Sequence, residues 1–404
     1  MEAPKEKINL KKIKLRHFDF WLFTSVILLL SMGLLIVFSA SAPSSASRYN
    51  GDVYFIFRNQ LKHALLGILT MLIMSFIPYR VWRKLAIPIA LLCLGLLVVV
   101  ILPGMSSLTK NTRRWMYIGS FNFQPSELAK FGLVCFLAAS LAVHRDRLKK
   151  FFKGFLPYLA VVLTFTGLIL VEPHLSGSII VIAVGAIVMF SAGARIWHFI
   201  VMAVPISAGG IFCLLYVPRF EYMKDRMVAF LDPWKDRTGD GYQIIQSMYA
   251  IGSGGLFGKG LGKSMQKFLY IPEPHNDFIF SILAEELGFV GVLTVLILFV
   301  ILFWRGVKIS NMADDAFGSL LAIGLTSLIA VQSIFNIAVV TASVPVTGVS
   351  LPFFSYGGTS LILFLSEVGI LLNISKNTNV DTVLSPVEIG EAKRTVNKAI
   401  KAGI

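Results

Sequence analysis

From Phe20 to Ser47, and again from Ala316 to Ser366, the chain carries no Asp, Glu, Lys or Arg. A hydrocarbon core about 30 Å thick needs about 20 apolar residues in a helix. Apolar runs of that order recur ten times, near residues 20–47, 61–78, 83–103, 124–143, 155–172, 176–193, 196–217, 278–304, 315–341 and 350–374. Lipid offers no partner for a backbone polar group, so such runs are read as helices. The expected fold is all-α: a polytopic membrane protein with ten transmembrane helices. Composition agrees, with 56% hydrophobic and 15% charged residues, too apolar for a soluble domain. Ser39–Ser47 resembles a cleavage region, but the run before it exceeds a signal-peptide core and reads as an uncleaved first span.

A net charge of +15 raises the question of nucleic acid. Lys and Arg, however, collect in the termini and the loops near 78–84, 144–153, 193–198 and 304–312, although the opposite loops are longer. That asymmetry places both termini in the cytoplasm and makes the charge topological. Nucleic acid is thereby set aside as a partner, and the membrane takes its place. The chain divides into a basic N-terminus 1–17, a ten-span domain 18–374 and a cytoplasmic tail 375–404, with a large extracellular loop 218–275 between spans 7 and 8. Cys93, Cys135 and Cys213 all lie in apolar runs and read as packing residues.

Chemistry concentrates in Tyr270–Gly288, where His275, Asp277, Glu285 and Glu286 gather at the mouth of an apolar helix. Ionisable groups are costly there, which points to a site. The plain alternative for Asp277 is a helix N-cap. Arg113-Arg114-Trp115 lies in the outward loop before span four, whose first turn carries Glu127 and Lys130 on one face. That pair lines an outward cavity or locks two helices together. Arg113, Arg114, Lys259, Lys263 and Lys267 are candidates for phosphate oxygens, or solvated loop charges. Gly262-Lys263-Ser264 is no P-loop, because Phe257 stands where that motif needs glycine. Tyr222–Trp234 has the mixed character of an interfacial helix. The glycine-rich Gly239–Gly262 reads as a ligand-facing backbone or as an ordinary re-entrant or surface loop. Pro345–Gly358 breaks the helix between spans nine and ten, and Glu367 beyond it faces the bundle interior, as a site residue or a protonated core carboxyl.

Together, Arg114-Trp115, Gly119–Lys130, Pro272–Phe280, Glu285–Gly288 and Pro345–Gly358 resemble the shape, elongation, division and sporulation family, its FtsW and SpoVE branches more than its RodA branch. The likeness runs from the first span to about Asn373. It implies a peptidoglycan glycosyltransferase that polymerises lipid II into a growing glycan chain on the outer face of the cytoplasmic membrane, beside a class B penicillin-binding protein. By motif position Asp277 is the essential acid, Arg114 and Trp115 belong to a functional outer loop, and Glu127 with Lys130 form the cavity pair. Arg113, Lys259, Lys263, His275 and Glu285 complete the candidate substrate-binding set. Asn276 departs from the Thr frequent in division members, which bears on the branch more than the activity.

Polymerisation with a lipid pyrophosphate leaving group needs a base near the attacking hydroxyl and positive charge near the phosphates. A divalent cation, magnesium or manganese, suits pyrophosphate, but one histidine in a proline-constrained turn makes no ligand set. Two other classes fit a membrane architecture: a lipid II flippase and a non-catalytic scaffold for the transpeptidase. The flippase needs polar groups through the full depth, whereas the motifs cluster at the outer ends of spans. The scaffold leaves Asp277 unexplained.

Overall fold

The computed structural model describes residues 18–102, 107–109, 112–118, 121–217, 221–236, 239–268 and 270–377. The basic N-terminus and nearly all of the C-terminal tail lie outside the described residues. Helices stand on all ten apolar runs: α1 Phe20–Arg48, α2 Phe55–Phe76, α3 Arg80–Ile101, α4 Pro125–His144, α5 Leu156–Val171, α6 Leu175–Ser191, α7 Ile196–Tyr216, α10 Ile279–Met312, α11 Ala316–Val340 and α12 Gly358–Ser375. Among the described residues seven helices are long and apolar enough to cross a membrane, with α6 and most of α7 shorter apolar helices. The loop between α7 and α10 holds two more, α8 Glu221–Leu231 and α9 Asp240–Gly254.

The all-α expectation needs one correction. A small antiparallel sheet of β1 Ser107–Thr109, β2 Thr112–Ile118 and β3 Phe121–Phe123 fills the loop between α3 and α4. Met116 faces Phe123 and Ile118 faces Phe121 in the β2–β3 register. Aromatic and β-branched residues favour a pleated, half-buried surface, and a search for long apolar runs passes over so short a sheet.

Close approaches set the packing. α2 lies along α12, where a Cβ on Gly369 would overlap the Met71 carbonyl oxygen; small residues allow helices to meet this closely. Asp19 caps α1 by accepting from Leu22 N at 3.0 Å. It also pairs with Arg305 at 2.7 Å, tying the start of α1 to the end of α10. The sequence reads one continuous span from 278 to 304, but α10 is interrupted at Gly288 (φ 65°, ψ −164°). There its chain crosses Gly258, whose φ of +77° and contact with the Glu286 carbonyl leave no room for a side chain. Span ten begins later than its apolar run, at Gly358, because the stretch carrying Pro345 and Pro352 is not helical.

Candidate active site

A cavity of about 350 Å³ opens where β2, the first turn of α4, α8, α11 and the stretches 273–277 and 346–350 converge. Pro125 sits at the first turn of α4, where its missing N–H costs nothing. Two residues on, Glu127 is 8% exposed and three further Lys130 is 2% exposed. Lys130 Nζ lies 2.8 Å from Glu127 Oε1 and donates to Gln332 Oε1 at 2.6 Å. The Gln332 amide in turn donates to the carbonyl and hydroxyl oxygens of Ser350, each at 3.3 Å. Lys130 is thus held by α4 and α11 at once and still lines the cavity.

Asp277 lines the same cavity. It stands one residue before Phe278, the N-cap of α10. Its turn is pinned from several directions. Asn336 Nδ2 donates to the Asp277 carbonyl at 2.9 Å and to the Val349 carbonyl at 2.6 Å. Tyr356 N donates to the His275 carbonyl at 2.8 Å, and Asn276 Nδ2 to Glu273 Oε2 at 2.7 Å. Gly348 runs beside the carboxylate at φ +69°, and an added Cβ would stand 3.2 Å from Asp277 Oδ2.

Positive charge enters from two elements. Arg114 on β2 donates from Nε to the Glu172 carbonyl at 3.2 Å and from Nη2 to the Pro173 carbonyl. Arg226 on α8 donates from Nη1 to the Val346 carbonyl at 3.0 Å. Both also line an adjoining apolar recess of about 190 Å³, walled by Leu175, Ile179, Met223, Phe335 and Val344. Polar cavity and apolar recess therefore meet across two guanidinium groups, an arrangement suited to an amphiphile with an anionic linker. Trp115, Gln124 and His174 also face the cavity. Burial pushes the His174 imidazole well below its usual range, with Arg114 and Lys130 acting in the same direction. It is neutral, with Nδ1 near Ser126 Oγ at 3.3 Å.

Not every residue singled out in the sequence comes to this cavity. Lys259 and Glu285 pair with each other at 2.6 Å, and Lys267 pairs with Glu286 at 3.1 Å; both carboxylates are fully buried outside it. Lys263 is exposed and does not line the cavity. His275 is buried against Tyr356, ring centroids 5.6 Å apart, and burial lowers its pKa to about 4. The Arg113 side chain lies outside the described residues. Arg226, His174, Gln332 and Asn336 were missed. Arg226 had a signal, since its spacing from the buried Met223 and Ala229 puts an arginine on the apolar face of an amphipathic helix. Gln332 and Asn336 also had one, as two amides four residues apart in an uncharged span.

Asp277 and Glu273 both line the cavity, and two carboxylates are what magnesium uses when substrate phosphates complete its shell. No group of three His, Cys, Asp or Glu side chains comes together among the described residues.

The profile of the FtsW, RodA and SpoVE family, described as a cell cycle protein, matches residues 20–380. Stage V sporulation protein E of Bacillus subtilis (strain 168) is 42% identical over 358 residues, covering 89% of this chain and 97% of that protein. A probable peptidoglycan glycosyltransferase FtsW of Geobacter sp. (strain M18) is 39% identical over 362 residues, covering 90% and 98%. Among solved structures, a chain of a peptidoglycan synthase complex that coordinates polymerization and crosslinking superposes with a TM-score of 0.74 at 29% identity, covering 90% of this chain and 99% of that one. The rod shape determining protein RodA of Thermus thermophilus superposes at 0.66 with 28% identity, covering 90% and 98%.

Proposed function

The chain belongs to the FtsW, RodA and SpoVE family, and from that premise we infer that it is a peptidoglycan glycosyltransferase, a multi-pass membrane enzyme that polymerises lipid II. The observation that carries the reading is the meeting of polar cavity and apolar recess at Arg114 and Arg226, with Asp277 in the cavity wall. Lipid II has that form: a sugar headgroup, a pyrophosphate linker and a polyprenyl tail.

In the reaction an acceptor sugar hydroxyl attacks the anomeric carbon of the donor. The new glycosidic C–O bond forms as the bond to pyrophosphate breaks. Asp277 takes the hydroxyl proton as general base. Arg114 and Arg226 receive the negative charge that develops on the leaving pyrophosphate. Lys130, fixed by Glu127 and Gln332, adds a positive charge beside the sugars. A bound magnesium or manganese ion would be held by Asp277 and Glu273 and would neutralise the phosphates.

The helices α1–α7 and α10–α12 are the ten spans, with both termini in the cytoplasm, the tail 375–404 included, and the cavity on the outer face. The partner is a class B penicillin-binding protein, whose single span packs against α10 and α11 and whose outer domain touches the 218–275 loop. Crosslinkers on those helices and that loop should capture it, and capture from the tail alone would remove the partner reading. Purified protein should convert lipid II to glycan polymer, alone or with its transpeptidase. A chain that instead moves lipid II between leaflets and polymerises nothing would be a flippase.

A further inference from the structure

One exposed apolar stripe does not stop where its helix breaks. On α10 the side chains of Trp304, Val300, Ile297, Leu293, Val290 and Phe289 are exposed at helical spacing, with Arg305 and Lys308 beside Trp304 marking the membrane boundary at the basic end. From Trp304 to Gly288 is about 16 residues, or about 24 Å at the helical rise, against a hydrocarbon thickness of about 30 Å. Tilt only shortens that reach. Gly288 therefore lies inside the leaflet on the cavity side, and so does whatever is bonded to it.

What is bonded to it is the 255–260 turn. Lys259 N and Gly260 N donate to the carbonyls of Glu285 and Glu286, each at 3.0 Å, while Phe289 N and Val290 N donate to the carbonyls of Gly255 and Leu256 at 2.9 and 3.1 Å. Irregular backbone at membrane depth must be satisfied by protein in this way. The side chains at that level obey the same demand. Glu285 accepts from Lys259 at 2.6 Å and from Met265 N at 3.1 Å, and Glu286 accepts from Ser39 at 2.6 Å and Lys267 at 3.1 Å.

The path of the chain agrees. Ser247 Oγ lies 2.8 Å from Ser281 Oγ, and Ser253 Oγ reaches Glu285 at 3.5 Å, so α9 descends parallel to the first turns of α10. In the turn and the limb that follows it, Leu256, Phe257, Leu261 and Phe268 are between 56% and 80% exposed, and no acidic residue occurs between Gly255 and Pro272. The return limb and α1 enclose an apolar groove of about 670 Å³, lined by Leu35, Phe38, Pro43, Leu261 and Phe268. Exposed apolar surface of this extent, continuous with the stripe on α10, marks contact with a membrane or a partner, and at the depth of Gly288 the surrounding medium is acyl chain.

We propose that residues 240–268 are a re-entrant hairpin whose tip, Leu256 and Phe257, is solvated by acyl chains of the leaflet on the cavity side, with a lipid chain in the groove beside α1. The loop between α7 and α10 is then part aqueous and part membrane-embedded, and the Glu285/Glu286 cluster is the fastening that holds it at depth.

The test uses the full chain in liposomes of phosphatidylglycerol and phosphatidylethanolamine, in a Cys213→Ala background, since Cys93 and Cys135 are buried. Phe257→Cys and Leu261→Cys are compared with Lys235→Cys, an exposed position in the same loop. Proteins are first shown to retain the parental gel-filtration profile. The proposal expects both cysteines to react with a membrane-impermeant maleimide at least tenfold more slowly than the Lys235→Cys control. A spin label at position 257 should collide with oxygen more than with a water-soluble nickel chelate. Equal labelling rates would overturn it. Protection that requires added transpeptidase would also overturn it, and would assign the tip to a protein partner.

Discussion

At the scale of single residues, Lys130 is a buried cation in the cavity wall, held between a carboxylate and an amide from two different helices. Lys130→Ala should lower polymerisation on the order of 100–1,000-fold, as loss of one preorganised donor does. Membrane insertion should survive. Gel electrophoresis of glycan products beside a gel-filtration profile separates this from misassembly, which would mark the pair as a structural lock. A second residue tests electrostatics by pH. Glu172 is buried with neither carboxyl oxygen hydrogen-bonded, and burial raises its pKa to about 8 against the pull of Arg114. Folding raises the pKa of this acid, so between its ordinary value and about 8 the folded chain keeps a proton that the unfolded chain has lost. Stability should fall as pH rises through that window, by at most about 1.4 kcal/mol per unit. Glu172→Gln should flatten the decline in melting temperature from pH 5 to 8.5, and parallel curves for the two proteins would contradict this.

At the scale of elements, apolar runs located ten helices because lipid allows little else. The same reading could not find the break at Gly288, since Glu285-Glu286-Leu287-Gly288-Phe289 continues a helical pattern and only the distant Gly258 crossing explains the interruption. Cavity-lining residues were legible where charge stood out against apolar sequence, as Glu127, Lys130 and Asp277 do. They were illegible where tertiary contact decides the role: Lys259 and Glu285 resemble ligand groups in sequence and satisfy each other in the fold, while the neutral Gln332 and Asn336 tie the site together. Gly258→Ala should destabilise the chain by at least about 1–3 kcal/mol, the cost of a strained left-handed residue, plus displacement of the Glu286 carbonyl. Thermal unfolding in detergent measures it, and an unchanged midpoint would mean the crossing is not tight.

At the scale of the whole molecule, the bundle brings three carboxylates, two arginines and a buried lysine to a cavity that abuts an apolar recess, and of the three it is Asp277 that is expected to act chemically. Asp277→Asn keeps the shape and the backbone bridges through Asn336 and removes the ability to accept a proton or hold a cation. Asn caps a helix as well as Asp does, so a loss on this substitution is not a loss of capping. The decisive measurement is glycan synthesis from lipid II by purified Asp277→Asn protein with its transpeptidase. The account predicts a loss of about 100-fold or more while expression, lipid II binding and partner association persist; near-normal polymer would contradict it.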